Sequence, residues 1–462
     1  MKQPAFSPGR RTLLQAGTGA GLLTLAACAS LSSTAVPPIV FVHGNGDSAA
    51  LWMTTLWRFE SNGWPRERLH AIDLPYPQAR DNDGVEQPGR GSARQQALAL
   101  ATEVDRVLER TGAARVVLIG NSRGGNTIRN YVQNFGGVDK VSHAVLGGAP
   151  SHGTWPDANF LPGSEFNGAG SFLQGLNAPK GAAGGEVAPG VRWMTLRSDS
   201  QDKYAQPDGR FLGAPGKPTH VSFEGPALRG ALDIVLPGHD HREVSSHAEA
   251  FAKTHEFITG QPPRTLAISP EFAVVLDGLA SGTAAGVPSN LPLVGASVEV
   301  YAVDAGTGAR LGPALHRKTI GEDGRWGPFT TDAQTRLEIV LAAPGQPTTH
   351  FYRSPFLRSS TVVNLRPETL TEAERVARSV VAFTRPRGYF GVPRDRIVFY
   401  GLSPPPDVPA GVPAVAVSRL KLPDGSGRPV VAEFQSGAIL ERIVGQAWPT
   451  ADNRVVVLEM HE

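Results

Sequence analysis

A serine set among glycines, Gly120-Asn121-Ser122-Arg123-Gly124-Gly125, is the part of this chain best suited to covalent chemistry. It follows an apolar run, Val116-Val117-Leu118-Ile119. It precedes residues at helical spacing: Ile128, Tyr131, Val132 and Phe135. Strand, tight Gly-x-Ser-x-Gly turn and helix form the context in which a serine hydroxyl becomes a nucleophile. Side chains at the flanking glycines would crowd such a turn, and the helix that follows aims its amide dipoles at the reaction centre.

A serine nucleophile needs a base, a group that orients the base, and amide donors for the developing oxyanion. Gly238-His239-Asp240-His241-Arg242-Glu243 lies between a predicted last strand and last helix and offers the base. Its Gly-x-x-His spacing favours His241, with His239 as the alternative. Asp240 reads as a solvated turn residue; His247 and His255 read as structural helix residues. The acid is expected just past the strand Val191–Leu196. Asp202 is placed there with a loop of suitable length, and Asp199 is its rival. The amides of Arg123 and of Asn45, in Val42-His43-Gly44-Asn45-Gly46, are the expected oxyanion donors. The His43 imidazole itself reads as a packed support for that loop. His239, Asp240, His241 and His247 could be viewed as metal ligands, but the His-Glu-x-x-His spacing of a zinc protease is absent and no cysteine assists, so no metal is expected.

The elements that must position these residues alternate. Strands are expected at Pro38–Val42, Leu69–Leu74, Val116–Ile119, Val141–Leu146, Val191–Leu196 and Ala231–Leu236. A helix is expected after Asp47 or Ser48. Another spans Ser92 to Arg110, where Ala97, Leu100, Val104, Val107 and Leu108 share one face. A last helix starts near Ser246, with Ser246 and Glu249 as a capping box, and stops at Gly260. Repeated strand-helix order implies an α/β domain: a mostly parallel sheet with helices on both faces, over residues 36–262. Within it, 151–190 is irregular and carries Phe160, Leu161, Phe166, Phe172, Leu173 and Leu176. It reads as a lid over substrate, or else as a loop packed on the flank.

Beyond Pro263 the pattern changes to short alternating strands and turn clusters, among them Val298–Val303, Asp304–Gly308, Asp323–Gly327, Leu337–Leu341 and Phe351-Tyr352. This implies a β-sandwich or barrel over 263–370. A second β-rich region, 371–462, includes Arg396–Tyr400 and Arg454–Leu458. At the other end, residues 1–35 read as an export leader. Arg10-Arg11 before a weakly apolar stretch resembles a twin-arginine signal, and Leu25-Ala26-Ala27-Cys28 resembles a lipoprotein processing box. Cys28 is the single cysteine of the 462 residues, so no internal disulfide can form. It is the candidate lipidation site and membrane anchor; cleavage after Ala29 is the alternative. Either way the protein is expected to be exported, as a periplasmic protein, an outer-membrane lipoprotein or a secreted one. A net charge of +2 argues against nucleic acid as a partner, and no later apolar run is long enough for a transmembrane helix.

The chain resembles bacterial and archaeal lipases of the α/β-hydrolase superfamily. His43-Gly44-Asn45-Gly46, Gly120–Gly125, Gly148-Ala149-Pro150-Ser151-His152-Gly153-Thr154 and Gly238–His241 carry the resemblance, over roughly residues 37 to 260. The overall layout is similar to two-domain lipases with a C-terminal β domain implicated in lipid binding. Arg123 stands where those lipases commonly carry Met or Gln. The resemblance implies Ser-His-Asp hydrolysis of carboxylic esters without a cofactor, on an acyl ester, lipid or polyester. A polyester depolymerase is the alternative substrate reading. A non-catalytic cell-surface binding protein with a degenerate hydrolase domain is the alternative from another class.

Overall fold

The structure, a computed structural model, describes residues 36–423, 425 and 427–462. The expected export leader, residues 1–35, and Cys28 lie outside the described residues. The first domain is built on six strands: β1 (Ile39–Val42), β2 (Leu69–Ile72), β3 (Val116–Asn121), β4 (Val141–Gly147), β5 (Arg192–Ser198) and β6 (Leu232–Leu236), in the order β2-β1-β3-β4-β5-β6. Every neighbouring pair runs parallel. β1 and β3 are buried along their whole length, as apolar runs covered on both faces must be.

Helices α1 (Met53–Ser61), α2 (Ala93–Thr111), α3 (Arg123–Asn134), α4 (Ser171–Asn177), α5 (Glu243–Ser246) and α6 (Ala248–Thr259) complete the domain. The expected face of α2 is the buried one, with Ala97, Leu100, Val104 and Val107 inside. Ser92 and Gln95 close a reciprocal capping box at its start, and Gly112 ends it in the left-handed region at φ 63°.

The last helix starts differently from expectation. Ser246 ends α5, and its hydroxyl donates to the carbonyl of Arg387 at 2.9 Å. His247 caps α6 instead, its Nδ1 accepting from the amide of Glu249 at 3.2 Å. A hydroxyl already engaged by a neighbouring segment cannot serve as cap, so the Ser246–Glu249 box does not form.

Segment 151–190 is irregular apart from α4, which buries Leu173 and Leu176. A second irregular stretch, 199–231, separates β5 from β6 and holds one short turn of 3₁₀ helix at Gly209–Leu212.

The C-terminal half is β-rich. A seven-stranded sheet runs in the order His316–Thr319, Ser297–Ala302, Leu337–Ala342, Thr348–Arg353, Arg454–Glu459, Ser379–Thr384, Val417–Leu422. Pairing is mostly antiparallel, but Arg454–Glu459 lies parallel to both of its neighbours. This strand joins segments on either side of residue 370, so the expected division at 370/371 does not separate two sheets. A three-stranded sheet, Arg396–Phe399, Pro429–Ser436 and Ile439–Gln446, packs nearby.

The two halves share one apolar core. Trp57 of α1 donates from Nε1 to the carbonyl of Ser359 at 3.0 Å, and its ring meets the rings of Phe356 and His461 edge-on. Phe41, Trp57 and Phe251 of the first domain belong to the same buried cluster as Trp326, Ile339 and Phe356 of the second.

Candidate active site

Ser122 sits between β3 and α3 at φ 54°, ψ −121°. A non-glycine residue in such a conformation costs about 1–3 kcal/mol and persists only where its surroundings impose it. They do so here. The Ser122 amide donates to the carbonyl of Gly147 at 2.8 Å, tying the turn to the end of β4. Gly44 approaches from the β1 side: a Cβ placed there would lie 3.1 Å from the Ser122 Cβ. The loop after β1 therefore packs tightly on the serine, and a side chain at that position would push Ser122 or Asn121 by a few tenths of an ångström. The side chain of Asn121 points into the domain. Its Nδ2 donates to the carbonyl of His241 at 3.0 Å and to Ser245 Oγ at 2.9 Å.

The base loop thus arrives at the serine turn. Gly148, at φ 59°, admits it: a Cβ there would stand 2.8 Å from the carbonyl oxygen of His241. His241 Nδ1 lies 2.8 Å from Asp202 Oδ2. Asp202 accepts from the amide of Tyr204 through its other oxygen at 2.8 Å. A carboxylate facing Nδ1 fixes the proton there and leaves Nε2 as the lone-pair nitrogen. That Nε2 is buried and holds no hydrogen bond, to Ser122 Oγ or to any other group among the described residues. The Tyr204 ring stands edge-on to the imidazole at 4.6 Å between centroids, a neighbour the sequence did not single out.

The rival residues are elsewhere engaged. Asp199 Oδ2 accepts from the amide of Gly238 at 3.1 Å, so it braces the start of the base loop. His239 directs Nδ1 to the carbonyl of Pro237 at 3.0 Å and Nε2 toward His247 Nδ1 at 2.8 Å. His255 Nδ1 meets the carbonyl of Gln261 at 3.0 Å.

On the β1 side, His43 is a packed support. Its Nε2 accepts from the amide of Leu74 at 3.1 Å and its Nδ1 donates to Gly44 O at 2.9 Å. Burial lowers its pKa, which keeps the ring neutral in these roles. Asn45 is exposed; its Oδ1 accepts from the amide of Ala79 at 2.7 Å, which anchors the loop that carries its own N–H. The Arg123 amide opens α3, where first-turn N–H groups have no partner inside the helix. The Arg123 side chain is buried and spoken for: it donates to the carbonyls of Pro77 (2.8 Å) and Gly91 (2.6 Å) and pairs with Glu165 of the irregular segment. Burial raises the Glu165 carboxyl pKa, and the Arg123 charge opposes that rise.

Asp240 is not the solvated turn residue expected. Its side chain is wholly buried. Oδ1 accepts from the amides of Arg242 (2.9 Å) and Glu243 (3.0 Å), and Oδ2 accepts from the amide of Tyr389 at 2.6 Å. Arg385 Nη1 lies 3.3 Å from Oδ2 and Arg394 3.5 Å away. Both arginines also pair with Glu243. The C-terminal half therefore grips the base loop on both sides of His241. It grips the β1 loop as well: Asn290 Nδ2 donates to the carbonyls of Asp47 and Leu74, each at 3.0 Å. None of these residues was identified from sequence; each acts across a long separation, where no local pattern exists to reveal it.

A cavity of about 360 Å³ opens beside His241 and Asp202. Leu146, Leu196, Val221, Phe223, Pro226 and Leu228 line it, together with the polar His152, Arg197, His220 and Asp233. Its walls come from both irregular segments, the expected 151–190 and the unexpected 199–231.

Residues 37–212 match the family model for the alpha/beta hydrolase fold, and residues 274–370 match that for the lipase C-terminal domain. Among solved structures, lipase BlEst2 of Bacillus licheniformis in its propeptide form is 13% identical, covering 89% of this chain and 92% of that one at a TM-score of 0.34. The esterase RhEst1 from Rhodococcus sp. ECU1013 is 17% identical, covering 49% and 91% at 0.28. The monoacylglycerol lipase of Paleococcus ferrophilus is 13% identical, covering 49% and 96% at 0.32. With its parallel sheet and its serine turn, the first region of the chain has the alpha/beta hydrolase fold, and the region that follows it matches a lipase C-terminal domain.

Proposed function

We propose that this protein hydrolyses carboxylic esters through an acyl-enzyme on Ser122. The observation that carries the reading is the imidazole of His241, held by Asp202 at 2.8 Å with its other nitrogen buried and unpartnered. Ser122 Oγ attacks the ester carbonyl carbon while His241 Nε2 takes the hydroxyl proton. Asp202 stabilises the imidazolium that forms. The oxyanion lies against the amides of Arg123 and Asn45; removing one such donor typically costs about 10²–10³ in rate. Collapse expels the alcohol, which takes the proton from Nε2. Water then repeats the sequence on the acyl-enzyme and releases the acid. The cavity beside His241, with Leu146, Leu196, Phe223 and Leu228 in its lining, takes the acyl chain.

We also infer that the protein acts after export, with Cys28 as a lipid anchor. The paired arginines and the Leu-Ala-Ala-Cys segment support this; mass spectrometry of the mature N-terminus tests it.

Hydrolysis is tested with p-nitrophenyl esters of increasing chain length, long-chain triacylglycerols and polyester film, each against wild type and Ser122→Ala. Turnover of acyl esters that Ser122→Ala abolishes is the expected result. Activity that survives the substitution overturns the mechanism, and an inactive wild-type protein favours the binding-protein reading.

A further inference from the structure

We propose that His239, His247 and Glu249 bind one divalent transition-metal ion, zinc by ligand preference, two residues from His241. Hydrogen-bond accounting leads there. The carbonyl of Pro237 can only accept, so its contact with His239 Nδ1 at 3.0 Å puts a proton on Nδ1, and the neutral ring then presents a lone pair on Nε2. His247 Nδ1 accepts the Glu249 amide at the start of α6, so it too presents a lone pair. These two nitrogens face one another at 2.8 Å, and Glu249 Oε2 lies 3.7 Å from His239 Nε2. Two ring nitrogens that close must share a cation, either a proton that makes His239 an imidazolium or a metal ion, and a carboxylate has converged on the same point. All three ligand atoms lie within 4.8 Å of one another.

The distances suit a small tetrahedral ion. Bonds of about 2.0–2.1 Å place tetrahedral ligand atoms roughly 3.3 Å apart. The Glu249 contact is near that value, and the two imidazoles need to part by only about half an ångström. Glu249 is half exposed and free to adjust. Two imidazoles and a carboxylate prefer zinc to calcium or magnesium. The carbonyl of Pro237 behind His239 is the outer-shell partner that ligating histidines commonly have. Arg58 and Arg385 lie near His247, and the positive end of the α6 dipole is adjacent, so coordination bonds and not the surrounding field must hold the ion. Binding also takes the lone pair that caps α6.

The set differs from the one the sequence suggested. Asp240 is committed to Arg385 and His241 to Asp202; Glu249 takes their place. Three protein ligands leave a fourth position for water.

The test uses the full chain, stripped with a chelator, dialysed into metal-free buffer and titrated with Zn²⁺ by calorimetry. One equivalent is expected to bind to wild type and to Ser122→Ala alike. His247→Ala should weaken binding by at least about 10–100-fold, and Glu249→Gln should weaken it measurably. Co²⁺ in place of Zn²⁺ should give the visible absorption of a tetrahedral site in wild type and lose it in both variants. Should His247→Ala fail to fold, the half-exposed Glu249→Gln still decides. No uptake by wild type, or uptake that these variants leave unchanged, overturns the proposal.

Discussion

Arg385, in the C-terminal half, lies buried against Asp240, the residue immediately before His241, with Nη1 3.3 Å from Oδ2. The same guanidinium pairs with Glu243, and its Nη1 donates to the carbonyl of Tyr389 at 2.8 Å. The loop that offers the base is thus framed by charges from a part of the chain more than a hundred residues away. Removing one partner from a buried ion pair strands the others and costs about 3–5 kcal/mol. Arg385→Met is therefore expected to lower the denaturant midpoint and to reduce ester hydrolysis, and Arg385→Lys to recover part of both. A variant as stable and active as wild type would refute this role.

The same logic extends to the whole C-terminal half. Trp57, Phe356 and His461 meet in one core, so residues 36–262 alone would expose a large apolar face. We expect that fragment to lack a cooperative thermal transition and to have no hydrolase activity. A soluble, cooperatively melting, active fragment would show that the second half is an accessory.

Asp202 and Asp199 are separated by what they touch. Asp202→Asn removes the carboxylate at His241 Nδ1 and should lower kcat on the order of 10⁴-fold. Asp199→Asn only weakens a bond to the amide of Gly238, and should leave kcat within about tenfold, since a typical hydrogen bond contributes roughly 1 kcal/mol. Steady-state kinetics on one ester, with the two variants side by side, decides this; equal losses would count against the assignment.

Acid stability should bear the mark of Glu243. Burial pushes this carboxyl up, but Arg385 and Arg394 outweigh burial and hold it at about 2, against an ordinary 4.5. A carboxyl whose folded pKa is depressed contributes stability that is fully present above its unfolded value and lost as pH falls toward the folded one. The melting temperature of wild type should accordingly fall between about pH 4.5 and 2 more steeply than that of Glu243→Gln. Parallel curves for the two proteins would show that Glu243 is not held in this way.

Much of the first domain could be read directly. Its central strands β1 and β3 are short apolar runs buried on both faces, and the α2 face, its Ser92 cap and its Gly112 stop are local signals. Ser122 was legible because the strained turn advertises itself through glycines. What escaped was tertiary. Asp240 looks like a turn residue until Arg385 and Tyr389 arrive to bury it, and Ser246 fits a cap until Arg387 claims its hydroxyl. The strand Arg454–Glu459 inserts between Thr348–Arg353 and Ser379–Thr384, and that pairing has no signature in any window of sequence. The stretch 199–231 carries little regular structure, so its role in walling the cavity follows only from where β5 and β6 place its ends.

The central claim is tested most directly by the site of covalent capture. Wild-type protein incubated with a fluorophosphonate should gain the mass of one adduct, and peptide mapping should find it on Ser122. His241→Ala should slow labelling by orders of magnitude, while His239→Ala should label at close to the wild-type rate. An adduct on another residue, or labelling indifferent to His241, would contradict the account.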